Sequence, residues 1–160
     1  MNAIFYYLTF AAALGSGIVA GIFFGFSSFI MAALGRVGPP AGIAAMQQIN
    51  ITVINWWFFA AFFGTALLGI AVVLLALLQW QSAPVVWLIA GAVLYVAGCV
   101  VVTMVFNVPL NNALAAVAPE SAEGAKLWAR YLTDWTWWNT FRTAASALAM
   151  VSFVVGLTKM

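Results

Sequence analysis

The side chains with chemistry to offer are few, and they recur at helical spacing. The stretch Trp135-Thr136-Trp137-Trp138-Asn139-Thr140-Phe141-Arg142-Thr143 opens the last long apolar segment. Between Asp134 and Lys159, Arg142 is the sole ionisable side chain. Trp135, Trp138, Asn139, Arg142 and Ser146 follow one another at three- and four-residue steps, which places them on one helical face. A cation one or two turns inside a membrane-spanning helix costs about 2.5–3.5 kcal/mol on insertion scales, so it marks a functional site by default. In a dry pocket a guanidinium can stabilise an anion. The competing reading is an arginine near a helix end that snorkels its charge to the interface.

A set of amides accompanies this cation. Gln47, Gln48, Asn50 and Asn55 come from the first connection and the start of the second span; Asn107, Asn111 and Asn112 close the third; Asn139 is in the fourth. Four spans joined in this order bring all of them to one membrane face. The opposite face offers only Asn2, Gln79, Gln81 and Ser82. Polar groups facing lipid are penalised, so such an asymmetry needs a cause. In one reading the amides are structural glue between helices, at about 1 kcal/mol each. In the other they join Arg142 in a pocket walled by Trp56, Trp57, Trp135 and Trp138.

These residues need a bilayer to position them. Of the 160 residues 67% are hydrophobic, and no charge falls between Arg36 and Glu120. A soluble domain of this size could not hide that much apolar surface. The sequence therefore describes one all-α integral membrane domain, a bundle of four transmembrane helices over about residues 4–34, 52–78, 85–106 and 136–158. Its partner is the lipid bilayer; in a bacterium this is the plasma membrane. With a net charge of +2 and no basic run, no nucleic acid is expected as a partner. There is no histidine, and Cys99 is the single cysteine. Neither a metal site nor a disulfide is expected. The scarcity of carboxylates also counts against a proton-coupled pump.

The first segment lacks a positive start and stays apolar through Leu34, so it reads as a retained span and not a signal peptide. Gly17, Gly21 and Gly25 form a small-residue stripe on it that would permit helix packing or a homo-oligomer. Pro39 and Pro40 end it, and Met46-Gln47-Gln48-Ile49-Asn50 suits a helix lying on the membrane surface. Trp80 and a tight turn from Gln79 to Pro84 separate spans two and three. Pro109 should kink or stop the third span. The fourth helix should start outside the hydrocarbon. Lys126, Arg130 and Asp134 lie on its solvated face, and Trp128, Tyr131, Leu132, Trp135, Trp138 and Arg142 on another. Asp134 lies eight residues before Arg142, too far along the axis to pair with it. Basic residues favour placing the loops at residues 35–51 and 107–135 in the cytoplasm, by a margin of two.

Asn107-Val108-Pro109-Leu110-Asn111, the block Trp138-Asn139-Thr140-Phe141-Arg142-Thr143 and the upstream Met46-Gln47-Gln48-Ile49-Asn50 resemble the anthrone oxygenase-like family, small four-span membrane proteins. The resemblance covers nearly the whole chain. It implies an oxygenase that converts a polyketide anthrone to an anthraquinone with molecular oxygen and no recognised cofactor. The matching positions are Gln47, Asn50, Asn107, Asn111, Trp138, Asn139 and Arg142. Many relatives carry His where this chain has Thr140, so an imidazole base is missing here.

On that resemblance the chain is a membrane-embedded oxidoreductase acting on a small, flat, apolar phenol or ketone. Arg142, Asn139, Asn111 and Asn107 would act on the substrate anion, while Gln47, Asn50, Asn55, Trp56, Trp135 and Trp138 would bind it. No base is assigned, and no cofactor is expected. The alternatives are a non-enzymatic module that binds or transports a small anion or lipid headgroup, and a structural subunit.

Overall fold

The computed structural model describes residues 3–78 and 84–160. Asn2 and the turn residues Gln79, Trp80, Gln81 and Ser82 lie outside the described residues. The described chain is helical throughout, without strands. Four helices are long and apolar enough to cross a membrane: α1 (Ala3–Arg36), α3 (Trp56–Leu78), α4 (Val85–Ala115) and α5 (Ala122–Thr158). A shorter α2 (Pro39–Thr52) joins the first two. The protein is an integral membrane protein of the all-α four-span class.

The spans form a closed square. In it α1 neighbours α3 and α5, and α4 neighbours the same two. The bundle core is built from small and aromatic side chains such as Ala12, Val19, Phe23, Phe62, Leu88, Tyr95 and Phe153. Small residues let the helices approach. At Gly98 of α4 an added Cβ would stand 2.7 Å from the Ala145 Cβ of α5, a distance only glycine allows. Gly17 lies against the Met150 sulfur of α5, where a Cβ would stand at 2.7 Å. The stripe expected on α1 thus serves the bundle at Gly17, while Gly21 has open space before it.

The Pro39-Pro40 pair separates α1 from α2 and also begins α2, with Pro39 at its first turn where no amide donor is needed. Gly38 makes the corner at φ 87°, a conformation that favours glycine. The α2 helix then covers one end of the bundle. Its Ile43 and Met46 pack with Met31, Leu114, Trp128, Tyr131 and Trp135, a second core set apart from the first. Trp128, Tyr131 and Trp135 stack in sequence with ring centroids 5.6 and 5.7 Å apart.

α5 has 37 residues and so is about 55 Å long, against roughly 30 Å of hydrocarbon. Its first turns pack under α2 through Gly124, Trp128 and Tyr131, opened by a Ser121 cap that accepts from the Gly124 amide at 2.9 Å. Arg130 and Asp134 pair at 2.8 Å on the exposed face, as the charge spacing implied.

Pro109 does not stop α4. The helix continues to Ala115, with wider π-helical turns at Val96–Val101 and Thr103–Asn107; the second contains Val105, whose carbonyl Pro109 leaves without its helical donor. The physical reason is local. Pro109 cannot return a hydrogen bond to the carbonyl four residues earlier, and widening the preceding turns accommodates that loss without breaking the rod. α1 carries a π-helical turn of its own at Phe26–Ile30.

Candidate functional site

Arg142 points into the bundle and is only 5% exposed, which rules out snorkelling. Its Nε and Nη2 both donate to Asn139 Oδ1, at 3.1 and 2.8 Å, and Nη1 donates to Thr103 Oγ1 at 3.1 Å. The guanidinium carbon sits 3.8 Å from the centre of the Phe23 ring and 5.1 Å from that of Trp135. Rings at these distances offer a cation their negative faces. Among the described residues no carboxylate pairs with it; the only ion pair is Arg130–Asp134. Of the five N–H donors of a guanidinium, two have no partner within the described chain.

Asn139 explains how this charge is held. It is fully buried, and its Nδ2 donates to the Phe23 carbonyl and to Ser27 Oγ, both at 2.7 Å. Ser27 lies in the π-helical turn of α1, which brings its hydroxyl to α5, where Thr140 also donates to it at 2.8 Å. The carboxamide therefore ties α1 to α5 with its nitrogen and fixes Arg142 with its oxygen. Thr103 lies in the π-helical turn of α4 and donates to the Cys99 carbonyl at 2.7 Å, leaving its lone pairs to the guanidinium.

Arg142 lines a cavity of about 570 Å³. Its walls are Phe23 and Phe26 of α1, Phe58 and Phe62 of α3, and Trp135 of α5. The polar end carries Arg142, Thr103, Asn111 and Asn50. Asn111 Oδ1 accepts from Tyr131 Oη and Trp135 Nε1, each at 2.8 Å, which leaves its Nδ2 without a partner in the described chain. Asn50 donates to Tyr131 Oη at 3.4 Å. α3 packs on α4 as far as Val101; beyond it the cavity occupies the space between them. Its lining residues Phe59 and Phe63 of α3 and Met104 of α4 are 41%, 40% and 52% exposed, so the cavity is open sideways between these two helices.

The structure sorts the expected site residues into three groups. Arg142, Asn111, Asn50, Gln47 and Trp135 line the cavity, and Gln48 and Asn112 join them. Asn107 and Asn139 do not line it. They are buried behind it, and Asn107 Nδ2 donates to the Trp135 carbonyl at 3.1 Å. Gln47 divides its role, since its Nε2 donates to the Leu114 and Val117 carbonyls at 2.8 and 3.0 Å and so ties α2 to the end of α4.

The third group corrects the sequence reading. Asn55 caps α3, accepting from the Phe58 amide at 3.0 Å and donating to the Thr52 carbonyl at 2.9 Å. Trp56 and Trp57 are 75% and 82% exposed and face outward, as interfacial aromatics do. Trp138 stacks flat on Phe106 at 3.7 Å, away from the cavity. Of the four expected tryptophan walls only Trp135 is one. Phenylalanines take the other places, and these, with Thr103 and Ser27, carried no sequence signal beyond being ordinary span residues.

The anthrone oxygenase family model matches residues 56–152. That range includes α3, α4 and most of α5, and hence Thr103, Asn107, Asn111, Asn139 and Arg142. No curated protein and no solved structure matches the chain.

Proposed function

We propose, on the premise that this chain belongs to the anthrone oxygenase family, that it oxygenates a small, flat, apolar phenol or ketone drawn from the bilayer. The observation that carries the reading is a buried guanidinium without a carboxylate partner among the described residues, lining a largely apolar cavity with aromatic walls. A volume of about 570 Å³ lies in the range of ligand pockets and accommodates a tricyclic aromatic. The rings of Phe23, Phe26, Phe58 and Phe62 suit its faces, and the free donors of Arg142 and Asn111 suit its oxygen.

In such a reaction an anthrone loses a proton from its ring methylene, and the resulting enolate keeps its charge on oxygen. The enolate carbon gives electrons to molecular oxygen and bonds to it. The hydroperoxide, once protonated, loses the second hydrogen of that carbon as its O–O bond breaks. One quinone and one water leave, which balances one anthrone and one oxygen. Arg142 stabilises the enolate in surroundings that exclude water, where such a charge counts for more than in solution. Asn139 and Thr103 keep the guanidinium aimed, and Asn107 acts behind them, not on substrate.

A second reading has its own support. Arg142 is the one ionisable side chain among the described residues lining the cavity, which equally suits a module that binds or carries a small organic anion. Oxygen uptake by the purified protein with an anthrone separates the two. Removing a comparable donor from an oxyanion site costs about a hundredfold or more in rate, and that loss is expected for Arg142→Ala and a smaller one for Asn111→Ala. Turnover unchanged in both variants would end the oxygenase reading.

A further inference from the structure

Among the described residues that line the cavity there is no base. The lining supplies amides, hydroxyls, aromatic rings and one cation. The titratable groups buried near Arg142 are the Cys99 thiol of α4 and the Tyr131 phenol of α5. Both are fully buried and neither lines the cavity. The Tyr131 hydroxyl donates to Asn111. α1 faces Arg142 with the Phe23 ring, and the lining parts of α2 and α3 carry no ionisable side chain. Asp134, on the exposed face of α5, is held by Arg130.

Resting on the oxygenase reading, we infer that the cavity takes its substrate as a ready-made oxyanion, an enolate or phenolate fused to an apolar body. The proton leaves the substrate for water at the membrane face before binding, and Arg142 draws the anionic form out of that equilibrium. A neutral molecule gains little here, because it leaves a buried cation without a counter-ion. An anion supplies that counter-ion and accepts from the two free guanidinium donors and from Asn111 Nδ2. Specificity then follows the acidity of the substrate as well as its shape. Opposite charge within a few ångströms favours an ionised acid, so the bound ligand must titrate at lower pH than the free one.

The test uses 2-hydroxyanthraquinone, a flat phenol that changes colour on ionisation and has no methylene to oxidise. Titrated with the protein in nanodiscs, its midpoint should fall by at least one pH unit relative to empty nanodiscs, a tenfold preference for the anion. Arg142→Gln should abolish the fall, and Arg142→Lys should keep most of it; circular dichroism of each variant reports that the helices are intact. In oxygen uptake, the acid limb of the pH profile should move with the acidity of each ring-substituted anthrone. A probe that binds without ionising, a fall unchanged in Arg142→Gln, or one fixed acid limb for all anthrones would overturn the inference. A shifted probe with no oxygen uptake would support the anion site and overturn only the oxygenase reading.

Discussion

Replacing Arg142 with methionine separates a charge kept for use from a charge kept for stability. In the folded protein the guanidinium has three hydrogen bonds, none to a carboxylate. Methionine follows the aliphatic stem of arginine without a charge and leaves the guanidinium's place to the cavity. The replacement orphans one acceptor, Asn139 Oδ1, at a cost of about 1–3 kcal/mol. Thr103 retains its bond to the Cys99 carbonyl. Against that stands release from burying a cation, about 2.5–3.5 kcal/mol on insertion scales. The two terms offset, so the stability of Arg142→Met should stay within roughly 2 kcal/mol of the parent.

Asn139→Ala should behave in the opposite way. It leaves the cation in place with one bond, and stranding donors of a buried charged group costs at least about 1–3 kcal/mol. It also frees the Phe23 carbonyl and Ser27, which Asn139 now satisfies. Reversible unfolding in mixed micelles, followed by the fluorescence of the tryptophans, measures both variants. Anion binding measured in parallel should vanish in Arg142→Met despite its intact fold. If Arg142→Met instead unfolds as easily as Asn139→Ala, the guanidinium is a strut and the reasoning about the site fails.

Three further outcomes follow from the geometry. Asn111→Leu strands the Tyr131 hydroxyl and the Trp135 indole N–H, so it should cost roughly 2–4 kcal/mol in the same unfolding assay and weaken anion binding. Trp56→Ala faces outward and should leave the dissociation constant of the anion unchanged, with stability shifted by no more than about 0.5 kcal/mol in micelles. Met104→Trp places bulk at the sideways mouth between α3 and α4, so stopped-flow mixing should show slower association and slower dissociation with little change in their ratio.

The spans and the inward aim of Arg142 were legible because each rests on a strong regularity. A long apolar run admits few structures in a bilayer, and Trp135, Asn139, Arg142 and Ser146 share a face by helical arithmetic alone. The division of labour among the amides was not legible. Asn107 and Asn111 are one turn apart on α4, yet one bonds the α5 backbone and the other reaches the cavity. The π-helical turn that ends at Asn107 rotates both of them about the α4 axis relative to the residues before it, and nothing in a hydropathy pattern announces it. Pro109 pointed to a disturbance but not to its form. The tryptophans misled for a related reason: at interfacial depth the same residue type serves lipid at Trp56 and a buried pocket at Trp135.

The charge and the cavity's shape have separate owners. Arg142 is fixed by Asn139 on its own helix and Thr103 on α4, with α1 behind them, whereas α2 and the turn after it give the cavity Ile49, Ile51, Val53 and Ile54. None of those four bonds to the guanidinium or to anything that holds it. Mutation there can recontour the chamber for a broader or narrower ring system while the electrostatics stay as they are. On the proposed reading, the ring system that fits the chamber and the charge that meets its oxygen can therefore vary independently.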